Sequence, residues 1–116
     1  MAYNNSVGAQ GESDAADFLR GKGASILQMN YRCPHGEIDI IAVLDGILVF
    51  CEVKRRSSLL HGSPAEAVTP AKQRKIIRAA ELWLARHPMD MPVRFDVIAI
   101  TPGAITHIPS AFIAGR

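Results

Sequence analysis

Asp39, Glu52 and Lys54 are the residues of this chain whose types and spacing could do chemistry together. Two β-branched, apolar runs carry them, Glu37 to Leu44 and Ile47 to Lys54, and Asp45-Gly46 lies between. Asp-Gly between such runs signals a two-residue hairpin turn of the primed type. With Asp45 and Gly46 as the loop, Leu44 faces Ile47, and counting outward sets Asp39 opposite Glu52 and Glu37 opposite Lys54. Side chains alternate with period two, so these four share one face. Like charges directly opposed on a sheet are destabilising. Flanked by Ile41 and Phe50, the two carboxylates would also be partly desolvated, which penalises charge. A cation between them resolves both conflicts, and an all-oxygen ligand set suits a hard ion such as Mg²⁺ or Mn²⁺. Lys54 stands close enough to orient or activate a water. The competing reading of the same residues is a set of satisfied ion pairs at a sheet end.

Other polar residues could join this site. Glu12 falls on the stripe that Ala15, Ala16 and Leu19 make on a first helix, where a surface glutamate is out of place. It could point toward the same carboxylates, or simply favour the helix dipole from the first turn. Lys72, Arg74, Lys75 and Arg78 fall in the first turns of a second helix, where cations oppose the macrodipole by about a few tenths of a kcal/mol each. Bound phosphates would reverse that penalty. Gln73 precedes Ile77, Ala80 and Leu84 on the inward stripe. It could hold a water or a phosphate oxygen, or it could bond the backbone.

The elements that must position these groups follow from periodicity and punctuation. Residues 1–7 are polar and expected to fray, and residues 8–22 read as a helix closed by Gly23. Residues 25–33 form a strand ending before Pro34, and the hairpin follows, apolar on both faces and so covered on both sides. Its expected faces are Ile38, Ile40, Ala42, Val49, Cys51 and Val53 on one side, and Ile41, Leu48 and Phe50 on the other. Ser63-Pro64-Ala65-Glu66 has the form of a capping box and suggests a short helical turn. Thr69 caps a helix running to about Arg86, with Ile76, Ile77, Ala80, Trp83 and Leu84 as its buried stripe, and residues 93–101 form a further strand. Helix, three strands, helix, strand is a small α/β domain with a mixed sheet flanked by helices.

Composition narrows the function classes. A chain of 116 residues with 48% hydrophobic and 21% charged residues is one globular domain, and no apolar stretch approaches a membrane span. The opening residues lack the basic and apolar regions of a secretory signal. Cys33 and Cys51 make neither a disulfide framework nor a four-cysteine zinc site, and a reduced, cytoplasmic thiol pair is the expectation. The four histidines show no metal-ligand spacing, and Asp96 is expected to partner Arg94 or a loop amide. Residues 1–53 hold 3 basic and 7 acidic side chains, whereas residues 54–78 hold 7 basic ones against Glu66. That basic segment includes Arg55 and Arg56 beside the second-helix cations, and it points to a polyanionic partner next to a carboxylate cluster.

Several stretches together resemble a known family. Glu12, Asp39 and Glu52-Val53-Lys54 resemble the PD-(D/E)xK nuclease signature of restriction-endonuclease-like domains, its proline-aspartate part reduced to Gly36-Glu37-Ile38-Asp39. More narrowly, Asn30-Tyr31-Arg32, Gly36 to Ile41, Phe50 to Arg56, Ala67-Val68, Lys72-Gln73-Arg74 and Arg94 to Val97 look like the YraN-like family of small bacterial proteins, over roughly residues 8–112. Cys51 departs from that family's usual valine. The resemblance implies an αβββαβ core similar to Holliday-junction resolvases, divalent metal (Mg²⁺ or Mn²⁺) on Asp39 and Glu52, Lys54 assisting the attacking water, Glu12 completing the site, Gln73 beside it, and a homodimer. The function expected is a metal-dependent endonuclease hydrolysing phosphodiester bonds, branched or damaged DNA among its substrates. The alternative is a non-catalytic nucleic-acid-binding or accessory module. Fold-level analogy alone does not decide between them.

Overall fold

The computed structural model describes residues 2–56 and 68–114, with side chains of the first helix from Gln10 onward. The elements are α1 (Ala2–Gly21), β1 (Ser25–Cys33), β2 (Gly36–Leu44), β3 (Ile47–Arg55), α2 (Pro70–Arg86), β4 (Val93–Thr101) and β5 (Ala104–Phe112). The five strands lie in sequence order in one mixed sheet. Pairing is antiparallel except between β3 and β4, which run parallel because α2 crosses between them. None of the helices among the described residues is long and apolar enough to cross a membrane.

Each helix covers one face of the sheet. Ala15, Ala16 and Leu19 of α1 pack on Ile40, Ala42, Leu44, Val49, Cys51 and Ile98. Ile76, Ala79, Ala80 and Trp83 of α2 pack on Ile41, Leu48, Phe50, Phe95, Val97 and Phe112. Both faces of the hairpin are thus buried, as its two-sided apolar pattern requires. Helix ends follow local chemistry. Thr69 accepts the N–H of Lys72 at 3.2 Å, and Pro70 opens α2. At the other terminus of α1, Gly23 takes φ 97° while its N–H bonds the Arg20 carbonyl and that of Ala24 bonds Leu19, a Schellman closure.

Several expectations are corrected. The first helix begins at Ala2 rather than residue 8. No proline interrupts its early residues, and an established helix propagates into adjoining chain. The sheet gains β5, which pairs with β4 through the two-residue Pro102-Gly103 turn. Ile38 packs on the α2 face, not with Ile40 on the α1 face, so alternation breaks at Asp39. The chain is irregular there: Asn30, between the Met29↔Ile40 and Tyr31↔Ile38 partners, has φ 54°. The helical turn expected at Ser63–Glu66 lies outside the described residues.

Candidate active site

Asp39 and Glu52 meet at the end of the hairpin remote from its turn. The β2–β3 register runs from Leu44↔Ile47 to Ile40↔Cys51, as counted from the sequence, and stops one pair short of Asp39 and Glu52. Beyond that point the Asp39 carboxylate takes over from a strand carbonyl. Its Oδ2 accepts the Val53 N–H at 2.7 Å. β3 continues instead along β4, pairing as far as Arg55↔Ile100. A side chain rather than a ladder therefore holds the two strands here, and the sheet opens where the two acids sit.

The electrostatics follow from that placement. Glu52 is 6% exposed and Asp39 half-buried. Burial first, then the charge of Glu52, pushes the Asp39 carboxyl from its ordinary 3.8 up to about 7. The Val53 N–H pulls the other way, and Glu12 and Glu37 add smaller upward contributions. Glu12, half-buried one turn before Ala15 and Ala16, is thus within electrostatic reach of Asp39. Glu37 turns outward to Arg32, at 3.5 Å.

Two lysines face Glu52. Lys72 Nζ lies 3.0 Å from Glu52 Oε2, and Lys54 Nζ lies 3.6 Å from the same oxygen. Burial works against the Lys72 ammonium, but its hydrogen bond to Glu52 and the surrounding carboxylates outweigh this and raise its pKa. The sequence pointed Lys72 at phosphate and missed this ion pair. No local sequence signal marks it, because it depends on how α2 docks on the sheet. Gln73 turns its amide to the Val68 carbonyl at 2.9 Å, the backbone bond that was one of its two readings.

The remaining cations divide between two surfaces. Arg74, Lys75 and Arg78 are exposed along α2; Arg74 and Arg78 line a shallow groove of about 460 Å³ with Pro70, Gln73, Ile77, Glu81 and Ile113, and Lys75 lines another with Pro34 and His35. Arg55 lies on the other side, against Gly11 of α1, whose missing Cβ would stand 3.2 Å from the guanidinium. Arg56 is half-buried, and its N–H bonds the Ile100 carbonyl at 2.8 Å. The basic segment is therefore not one patch, with Arg55 on the α1 side and Arg74, Lys75 and Arg78 on the α2 side.

Among the described residues no three His, Cys, Asp or Glu side chains group closely enough to enclose an ion. Asp39 and Glu52 offer hard oxygen donors, which fits an ion that keeps most of its waters, and a cation there would offset the Glu52 charge that, after burial, pushes Asp39 upward.

A second polar cluster serves the fold. Fully buried Asp96 accepts two bonds from Arg94, both 2.9 Å, as expected, and the Ser110 N–H at 3.0 Å, an amide of strand β5 rather than of a loop. It also meets His107 Nε2 at 2.6 Å, while His107 Nδ1 faces Lys22 Nζ at 3.0 Å. His107 was out of reach of sequence reasoning because β5 was not recognised.

The family model of the uncharacterised protein family UPF0102 matches residues 11–100. A UPF0102 protein of Syntrophotalea carbinolica is 46% identical over 118 residues, covering 97% of this chain and 96% of its own. One from Chlorobium phaeobacteroides is 51% identical, covering 92% and 94%, and one from Phocaeicola vulgatus is 41% identical, covering 97% and 96%. The matched span contains Glu12, Asp39, Glu52, Lys54 and α2, so the whole constellation lies within it, and the chain belongs to the UPF0102 family, the YraN-like proteins that its motifs resemble.

Proposed function

We propose that the protein is a metal-dependent endonuclease that hydrolyses phosphodiester bonds in DNA, branched or damaged DNA among its substrates. The observation that carries this reading is the meeting of Asp39 and Glu52 at an opened sheet end, with Asp39 pushed up to about 7. Asp39 and Glu52 would hold the ion, with Glu12 adding negative charge from α1 rather than a direct ligand and the remaining positions left to water. When bound, Mg²⁺ or Mn²⁺ supplies a polarised water and offsets charge on the scissile phosphate. The protein's own groups do the rest. The Val53 N–H fixes the Asp39 carboxylate, so that its other oxygen is aimed rather than free to rotate. Lys54, two residues beyond Glu52 and 27% exposed, is placed to orient the attacking water and hold its proton inventory. Arg74, Lys75 and Arg78 on one side and Arg55 and Arg56 on the other would bind the flanking phosphates. A homodimer, as the resemblance implies, would present two such sites to one substrate. The free thiols Cys33 and Cys51 suit a cytoplasmic setting.

A non-catalytic nucleic-acid-binding module is the second reading. It is favoured by the Lys72–Glu52 contact, which already gives Glu52 a cation. End-labelled linear, flapped and four-way DNA, incubated with Mg²⁺ or Mn²⁺ and with or without chelator, separates the two. Metal-dependent cleavage of any of them is the expected result. Binding without cleavage under every condition favours the module.

A further inference from the structure

We propose that Lys72 is the resident countercation of Glu52, displaced when a divalent ion binds, and that the freed ammonium then takes a phosphate of the nucleic acid. This rests on the reading of Asp39 and Glu52 as metal ligands, and it adds a coupling that the reading does not contain. Lys72 and Lys54 approach one and the same oxygen, Glu52 Oε2, at 3.0 and 3.6 Å. Two ammonium groups on one oxygen repel each other, and a divalent ion on that carboxylate would repel both. Lys72 is the one that can leave. Its side chain is 42% exposed against 27% for Lys54, so it moves into water rather than through protein.

Position on the helix gives the displaced group a direction. Lys72 is the third residue of α2, where the aligned peptide dipoles disfavour a cation. Glu52 offsets that penalty in the metal-free protein. Once Glu52 serves an ion, Lys72 is left between the helix N-terminus and that ion, both repulsive, and an anion is what satisfies it. Exposed Arg74 and Lys75 neighbour it on the same turns. Metal and nucleic acid would then each favour the binding of the other by the same factor, since linkage between binding sites is reciprocal.

The test is calorimetric titration of Mn²⁺ into the full chain as wild type, Lys72→Gln and Lys72→Arg. Each is run alone and with a saturating short duplex carrying phosphorothioate linkages to slow hydrolysis. Melting in chelator first establishes that each variant is folded. Without DNA, Lys72→Gln is expected to bind Mn²⁺ roughly five- to tenfold more tightly than wild type, at the low end of usual site–site coupling. DNA is expected to tighten Mn²⁺ binding to wild type and to Lys72→Arg by a similar factor, and to leave Lys72→Gln unchanged. Equal or weaker Mn²⁺ binding by Lys72→Gln, or an undiminished DNA effect in it, overturns the displacement while leaving the metal site standing. Absence of Mn²⁺ binding in both wild type and Lys72→Gln removes the metal site itself, and the displacement with it.

Discussion

Near neutral pH the Asp39 carboxyl is poised between its two protonation states, held there by burial and by the charge of Glu52. Its folded pKa of about 7 lies above the ordinary 3.8, so between these values the native state binds a proton that the unfolded chain does not. Stability of the metal-free protein should be fullest below about pH 4 and fall as pH rises through 7, by up to a few kcal/mol for this group. Asp39→Asn should flatten that limb of the melting-point-versus-pH curve, and an identical curve in both proteins would exclude Asp39 as its source. Glu52→Gln removes the second largest upward push, so the Asp39 carboxyl, followed by NMR, should titrate at lower pH. In chelator the same variant should keep its midpoint or gain slightly, because repulsion of Asp39 disappears and the exposed Lys72 head is solvated. A drop of several kcal/mol would instead mark Glu52 as a purely structural ion-pair partner. The meeting of Asp39 and Glu52 was legible because a carboxylate is conspicuous in a β-branched, apolar run. The Lys72 contact was not, since it depends on how a helix docks on a sheet.

At the level of elements, the docking of α2 over the start of β2 sets the site. Gly36 makes this approach possible. A Cβ there would stand 3.3 Å from the Lys75 Cβ and 3.6 Å from its carbonyl oxygen, and φ is 152°. Gly36→Ala should therefore destabilise the fold by about 1–3 kcal/mol and loosen the Lys72–Glu52 contact, read by denaturant unfolding. An unchanged midpoint would show that α2 can shift freely. The hairpin register was legible because Asp45-Gly46 admits one pairing, confirmed from Leu44 to Ile40. Its end was not, because the Asp39 side chain replaces a ladder bond and carries Ile38 to the α2 face. β5 escaped notice because Pro109 breaks the strand pattern. It is tolerated at a sheet edge, where the register shifts between Phe95 and Val97 and Asp96 accepts the Ser110 N–H. The turn signal Pro102-Gly103, with Gly103 at φ 77°, was the clue that could have revealed it.

Over the whole molecule, the basic segment of the sequence divides between the α1 and α2 sides of the sheet, a division that a linear charge count cannot show. If Arg74, Lys75 and Arg78 each neutralise a phosphate, replacing all three by Ala should flatten the slope of log affinity against log salt for duplex DNA by roughly 2.7. An unchanged slope would place the nucleic acid elsewhere. The proposed hydrolysis depends on Asp39 and Glu52 sharing one divalent ion. Calorimetric titration of Mn²⁺ into wild type, Asp39→Ala and Glu52→Gln tests that most directly, with the titration repeated at pH 6 and about pH 8 because Asp39 must lose its proton to serve as a ligand. The expected result is one ion per chain for wild type, tighter at the higher pH, and binding lost or greatly weakened in both variants. Equal Mn²⁺ binding by all three proteins would contradict it.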